Sequence, residues 1–293
     1  MVGDDTAAYG VVSRRVRLSG VTDTVRDLSV HDHLCWVYHD RDEHPTRMVE
    51  YLADGVVQGQ RVRYIGDGGW DGLRADLAGL PKLDRLLDAG TVELVSVNES
   101  YPWGPVTPAR QVARFAAATE AALADGYRGL RVAADCTAMV SDGQRRDAFA
   151  RYEHQLDCYL VTHPLAVMCV YDRARLGADA TAELAALHPL TRTAVTPLHV
   201  FADPGADLAL AGQIDALSVG LLQRTLDRTE FIHGKRPLLV NATALTFIDH
   251  QALRALDTWA GRVGTRMVMV NAGQLIGRLA ELVGLDHVQV VAR

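Results

Sequence analysis

Apolar runs of strand length alternate with amphipathic runs of helix length along the first two-thirds of the chain. The strand patterns cover residues 34–38, 61–65, 92–95, 130–134 and 165–171. The helical patterns between and after them lie around residues 44–58, 71–88, 107–125, 142–162 and 179–188. Because strands separated by helix-length crossovers pair in parallel, this order predicts a mostly parallel sheet with helices on both faces.

A second, smaller set of elements follows. Strand patterns at 238–240, 267–270 and 288–291 alternate with helical patterns around 216–229, 250–263 and 274–283. A chain of 293 residues is long enough for two domains, each with its own core. We therefore predict an α/β protein with a lead-in at 1–23, an N-terminal domain at 24–192, a linker at 193–205 and a C-terminal domain at 206–293.

Composition narrows the range of partners and compartments. The formal net charge of −6 and the pI near 6.0 provide no general attraction for nucleic acid or anionic membranes. No apolar run reaches the length of about 18 residues that a transmembrane helix needs, and the N-terminus lacks the order of a signal peptide. The four cysteines show no CxxC spacing, which argues against a disulfide framework or a structural zinc site. The sequence predicts a cytoplasmic protein.

The first strand pattern carries the first candidate chemistry. It reads His31-Asp32-His33-Leu34-Cys35-Trp36-Val37-Tyr38. Because side chains alternate across a strand, His33 and Cys35 share one face. An imidazole and a thiol two residues apart can meet a metal or a polar ligand, and a buried cysteine beside a hydrogen-bonded histidine is equally compatible with the pattern.

Three further motifs follow the first strand pattern along the chain. They are Tyr152-Glu153, Cys169-Val170-Tyr171-Asp172-Arg173 and His188-Pro189. Over residues 24–192 the chain resembles the MEDS domain, a sensory module named from methanogens and methylotrophs. The resemblance implies a fold related to the RecA/KaiC ATPases, a small organic molecule as ligand, and no cofactor. It implies a ligand site at or near His33, Cys35, Tyr38, Glu153, Cys169, Tyr171 and His188.

Nucleotide chemistry is not expected in this domain. The residues after the first strand pattern, 39–45, are rich in acidic side chains and contain no glycine, whereas a phosphate-binding loop needs glycines and a lysine. Gly66-Asp67-Gly68-Gly69 follows a strand pattern but lacks the remaining spacing. We predict that the protein neither binds ATP at micromolar concentration nor hydrolyses it.

The C-terminal domain carries a second resemblance. Asp249 stands where the helix at 250–263 should have its N-cap, and Gly212-Gln213-Ile214-Asp215 lies upstream. Together these segments resemble a STAS domain of the anti-sigma factor antagonists, in which the turn reads Asp-Ser-Ser-Gly or close to it and the first serine is phosphorylated. Here His250 occupies that position. The resemblance implies a partner surface at Asp215, Asp249, His250 and Gln251, and an anti-sigma factor or kinase-like protein as partner.

The sequence favours a non-enzymatic signalling adaptor and leaves two other functions open. A metal sensor would use His31, His33 and Cys35 with His39 or His44. A thiol-dependent enzyme would use Cys35 or Cys136, the latter within Asp135-Cys136-Thr137 at the end of a strand pattern. The oligomeric state stays open between a monomer and a homodimer.

Overall fold

The computed structural model describes residues 17–101, 104–229 and 236–292. These residues form twelve strands and eleven α-helices. In chain order they are β1 (Gly20–Thr22), β2 (His33–Tyr38), α1 (Glu43–Val57), β3 (Arg61–Gly66), α2 (Trp70–Asp76), α3 (Leu83–Asp88), β4 (Val92–Ser96), α4 (Val97–Ser100), α5 (Pro108–Ala124), β5 (Leu130–Asp135), α6 (Gly143–Leu160), β6 (Leu165–Asp172), α7 (Arg173–Leu176), α8 (Ala178–Ala185), β7 (Leu190–Arg192), β8 (Leu198–Asp203), β9 (Ala206–Ile214), α9 (Val219–Arg228), β10 (Leu238–Ile248), α10 (His250–Arg262), β11 (Met267–Ala272), α11 (Gln274–Val283) and β12 (Val288–Ala292).

Seven strands form the first sheet, in the order β1-β7-β2-β6-β5-β3-β4, and every neighbouring pair is parallel. The predicted mostly parallel α/β sheet is thus confirmed. Helices α1, α2 and α3 pack on one face, and α5, α6 and α8 pack on the other. Strand β2 serves both cores because its side chains alternate: Cys35 lies in the core under α6, whereas Trp36 lies in the core under α1.

A glycine is required where β5 begins beside β6. Gly129 has a φ of +151°, and a Cβ atom on it would lie 2.3 Å from the carbonyl oxygen of Pro164. No larger residue fits this approach without moving backbone. Two residues later, the fully buried Arg131 donates to Gln60 Oε1 at 2.6 Å and forms an ion pair with Asp54 at 3.2 Å, so its charge is compensated on the α1 side of the sheet.

The second sheet has five strands in the order β12-β11-β10-β9-β8. Strands β9 to β12 pair in parallel, and β8 pairs antiparallel with β9. Its core contains Leu210, Val240 and Met269 from the strands, with Leu222 and Leu256 from α9 and α10. The architecture is therefore a large parallel sheet followed by a smaller mixed sheet.

Three segments differ from their sequence-based predictions. The predicted linker 193–205 contains β8. Pro197 before this strand and Asp203-Pro204-Gly205 at its end are typical of turns, which is why the segment is predicted as a linker. The predicted helix 71–88 is divided into α2 and α3, since Pro81 cannot continue a helix. The predicted lead-in 1–23 contains β1, which pairs with β7; residues 1–16 lie outside the described part.

Among the described residues, none of the helices combines the length and apolarity that crossing a membrane demands.

Candidate functional site

Four side chains from four different segments meet between the first sheet and α6. They are His33 at the start of β2, Glu153 on α6, Cys169 on β6 and His188 just before β7. One ligand-type atom of each lies within 4.8 Å of the other three. Three of these side chains are fully buried and Cys169 is 2% exposed. We call these four residues the buried cluster.

His33 is held between two carboxylates. Its Nδ1 lies 2.9 Å from Asp157 Oδ1, and its Nε2 lies 3.3 Å from Glu153 Oε2. Burial alone lowers the pKa of a histidine, but the hydrogen bonds and charges of Asp157 and Glu153 outweigh it, and the pKa of His33 is raised. Because a carboxylate can only accept, the Nδ1 atom donates to Asp157.

Glu153 stays ionised although it has no contact with solvent. Burial raises the pKa of a carboxyl group, but the hydrogen bond and charge of His33 outweigh that effect, and the pKa of Glu153 is lowered. The hydroxyl of Tyr171 donates to Oε1 at 2.8 Å, and this bond also favours the carboxylate. Tyr171 therefore holds one oxygen of Glu153 and leaves Oε2 facing the cluster.

His188 is the neutral histidine of the pair. Burial and the neighbouring charge of His33 lower its pKa to about 4. Its Nδ1 donates to the carbonyl oxygen of Leu184 at 2.9 Å. Its Nε2 is buried, lies 3.7 Å from Glu153 Oε2, and finds no hydrogen-bond partner in the described part of the chain. A nitrogen lone pair therefore points into the cluster.

Two cysteines of the predicted site lie side by side. Cys35 and Cys169 are paired in register on β2 and β6. The Sγ of Cys169 lies 3.5 Å from Glu153 Oε2 and 3.7 Å from His33 Nε2, whereas Cys35 is not among the four convergent residues. Burial raises the pKa of both thiols well above the usual value.

Tyr38 does not join the predicted site. It is an odd number of residues from His33 on the same strand, so it projects from the opposite face of the sheet. There its ring centre lies 5.2 Å from that of His44. The structure thus brings together His33, Glu153, Cys169, Tyr171 and His188, with Cys35 beside them, and leaves Tyr38 on the other face.

Asp157 is a site residue that the sequence analysis missed. Its fully buried carboxylate forms an ion pair with Arg17, accepts from His33, and accepts from the backbone amide of Ala202 on β8 at 2.7 Å. Arg17 and His33 hold the pKa of Asp157 well below its usual range despite its burial. A signal existed: Asp157 is four residues after Glu153, so the two carboxylates share one face of α6.

The residues proposed for metal sensing do not form one group. His31 donates through Nδ1 to the carbonyl oxygen of Leu160, His39 is exposed, and His44 lies on the other face of the sheet with Tyr38. The candidate nucleophile Cys136 is fully buried, and burial raises its pKa.

The four predicted partner-surface residues lie at one edge of the second sheet. Asp249 caps α10 by accepting from the amide of Ala252 at 2.8 Å, as predicted. Its own amide donates to Ile214 at 3.0 Å, which brings it beside Asp215 at the end of β9. His250 and Gln251 are exposed in the first turn of α10.

Comparison with known proteins supports the N-terminal assignment. The sequence profile of the family described as "MEDS: MEthanogen/methylotroph, DcmR Sensory domain" matches residues 32–189. No curated protein shows significant similarity to the chain. The profile covers β2 through His188, and therefore includes every residue of the buried cluster. Since the match spans more than half of the chain, this protein belongs to the MEDS family.

Proposed function

We propose that this protein is a non-enzymatic signalling adaptor of the cytoplasm, in which the MEDS domain senses a small organic molecule and controls a STAS-like protein-binding surface. The observation that carries the proposal is the position of Asp157. One carboxylate holds His33 of the buried cluster and the backbone of β8, the first strand of the second sheet. A change at the cluster therefore has a direct mechanical route to the C-terminal domain.

Strand β8 has further bonds to the MEDS domain. The amide of Val200 donates to Ala186 at 2.7 Å, and His199 Nδ1 donates to the carbonyl oxygen of His188, itself a cluster residue, at 3.0 Å. Helix α9 adds ion pairs from Arg228 to Glu183 and Asp147. The state of the cluster and the placement of the second sheet are thus coupled through shared backbone groups. A ligand that prefers one arrangement shifts the population toward it.

We place the ligand beside this junction, at the border of the MEDS domain. A cavity of about 370 Å³ lies between the two sheets, lined mainly by apolar surface with Arg17, His31 and Asn241 among its polar groups. Arg17 reaches Asp157 and the carbonyl oxygen of Ala202 at 3.1 Å. A small molecule with a polar end that draws Arg17 away from Asp157 changes the charge balance of the cluster and loosens β8 at the same time.

The output surface is the edge that carries Asp215, Asp249, His250 and Gln251. Leu217 and Phe247, at 95% and 49% exposure, add apolar area at this end of β9 and β10. Position 250 offers no hydroxyl for phosphorylation. Control of an anti-sigma factor or kinase-like partner then passes from covalent modification to the MEDS domain.

No turnover is part of this proposal. The thiols of Cys35, Cys136 and Cys169 are buried, and their raised pKa values keep them protonated at neutral pH, where a thiol is a poor nucleophile. These buried groups are compatible with a sensor, because ligand sensing does not need a reactive nucleophile.

The test uses the full chain immobilised on a biosensor. Purified anti-sigma factors of the kinase-like type from the source organism are titrated with and without a small-molecule extract of the same cells. We expect one of them to bind, with an affinity that the extract changes in the wild type but not in Asp157→Asn; Asp142→Asn, an exposed position on the same helix, serves as the control. An affinity that the extract leaves unchanged for every candidate contradicts the proposal.

A further inference from the structure

The buried cluster has the dimensions of a metal coordination shell. The His33 Nε2 to Glu153 Oε2 distance is 3.3 Å, the Cys169 Sγ atom lies 3.5 Å from Glu153 Oε2 and 3.7 Å from His33 Nε2, and the His188 Nε2 atom lies 3.7 Å from Glu153 Oε2. In a tetrahedral zinc site, bond lengths of about 2.0–2.3 Å place neighbouring ligand atoms about 3.3–3.6 Å apart. All four ligand atoms lie within 4.8 Å of one another, so a contraction of at most about 1.5 Å between any pair reaches that geometry.

Both imidazoles are oriented as ligands. His33 donates through Nδ1 to Asp157, and His188 donates through Nδ1 to the carbonyl oxygen of Leu184, so the Nε2 atom of each faces the centre. Metal-bound histidines characteristically donate their other nitrogen to a carboxylate or a backbone carbonyl. The Nε2 atom of the fully buried His188 has no hydrogen-bond partner in the described part of the chain. Because a buried polar atom normally has a partner, this atom independently indicates a bound metal ion.

Charge also fits a divalent ion. Glu153 as carboxylate and Cys169 as thiolate supply two negative charges, and the two neutral imidazoles supply none, so the occupied site is neutral inside the protein. Nitrogen and sulfur ligands select zinc and its first-row neighbours over magnesium and calcium. Outside the shell, Tyr171 holds the second oxygen of Glu153, and Asp157 is balanced by Arg17.

We propose that His33, Glu153, Cys169 and His188 bind one divalent transition-metal ion of the zinc type in a tetrahedral site. On binding, the proton of the Cys169 thiol, and any proton on His33 Nε2, leaves to solvent, and four metal–ligand bonds form. With four protein ligands the site is closed, as in structural zinc sites. The metal fixes His33 and His188, the two cluster residues bonded to Asp157 and β8 respectively, and so stiffens the junction with the second sheet.

The direct test is metal analysis of the untagged full chain. Inductively coupled plasma mass spectrometry should find about one zinc, iron or cobalt ion per chain. Apoprotein refolded with Co²⁺ should show the strong visible bands of tetrahedral cobalt together with a thiolate-to-cobalt charge-transfer band. Folded wild-type protein that is purified without metal and binds neither Zn²⁺ nor Co²⁺ at micromolar concentration overturns the proposal, whatever the variants do.

Variants then identify the ligands, with circular dichroism confirming that each is folded. Cys169→Ser should abolish the charge-transfer band, whereas Cys35→Ser, its register partner on β2, and Cys158→Ser, an exposed thiol on α6, should retain it. Asp157→Asn should weaken Zn²⁺ binding about 10–100-fold, the usual effect of losing a partner of a ligating histidine. A band lost in Cys35→Ser and kept in Cys169→Ser overturns the ligand set. None of these measurements involves a protein partner, so the failure of either proposal is recognisable on its own.

Discussion

Replacing Asp157 by asparagine tests the junction between the two sheets directly. Asparagine has the same shape but keeps only one carbonyl oxygen, so it accepts either from the amide of Ala202 or from His33 Nδ1 and not from both. The negative charge that compensates Arg17 is lost. Arg17 then keeps a positive charge in a place where its side chain is only 7% exposed.

The size of the effect follows from that uncompensated charge. Removing one partner of a buried ion pair costs about 3–5 kcal/mol. Arg17 lies near the start of the described chain and can move toward solvent, so we expect the lower end, about 3 kcal/mol. For a chain of this length, 1 kcal/mol corresponds to about 2–4 °C, so Tm should fall by about 6–12 °C.

The assay is unfolding of the full chain by urea and by heat, followed by circular dichroism. Asp142→Asn is the matched control: Asp142 caps the same helix by accepting from the amide of Arg145 at 2.9 Å and is more than half exposed, and asparagine caps equally well. We expect a change within about 0.5 kcal/mol for the control. The double variant Arg17→Met/Asp157→Asn, which removes both charges, should recover part of the loss.

The reasoning is refuted if Asp157→Asn is no less stable than Asp142→Asn. It is also refuted if Arg17→Met in the Asp157→Asn background lowers stability further, because that result would mean that Arg17 stabilises the fold without its carboxylate.

Three further predictions concern other parts of the molecule. Of the four cysteines only Cys158 is exposed, and burial raises its pKa to about 12, so maleimide should label one thiol per native chain slowly and four in denaturant; native labelling of a second thiol contradicts the described burial. Arg236 holds the pKa of Asp207 below its usual 3.8, so its stabilisation is complete above about pH 5 and is lost as the pH falls through the folded pKa. Asp207→Asn should therefore cost about 1 kcal/mol at pH 7 and nothing near pH 2 in urea titrations, and a pH-independent difference contradicts this assignment. His250→Asp should weaken partner binding about tenfold by adding charge at the proposed contact, whereas Thr258→Asp, exposed further along α10, should not; equal effects in biosensor titrations count against the surface.

Periodicity predicted the elements of the core and failed at the edges. Strands β2 to β6 are apolar runs bounded by helices, and runs of this kind are typical of buried parallel strands. Strand β8 is a short edge strand between Pro197 and a Pro-Gly turn, so local residue preferences favour a loop, and only its pairing with β9 makes it a strand. The division of α2 from α3 is different, because Pro81 is a local signal that the helical pattern on both sides of it concealed.

The candidate site was predicted in part, for a comparable reason. The order of the motifs identified His33, Glu153, Cys169, Tyr171 and His188. Tyr38 was included in the ligand site although it lies on the other face of the sheet, because a motif records order along the chain and not the alternation of the strand. Asp157 was missed because a carboxylate on a helix usually faces solvent, and its burial depends on β8 and Arg17, which arrive from distant parts of the chain.

The two carboxylates of α6 contact different parts of the molecule. Glu153 faces the cluster, while Asp157, one turn later, faces the second sheet, and His33 touches both. Three hydrogen bonds join β8 to this region: Ala202 to Asp157, Val200 to Ala186 and His199 to His188. At about 1 kcal/mol each, they supply up to about 3 kcal/mol, the range typical of coupling between two sites. Because 1.4 kcal/mol is a factor of ten, under the proposed function a change at the cluster that removes two of these bonds shifts the equilibrium between the docked and undocked second sheet by about 30-fold toward the undocked form.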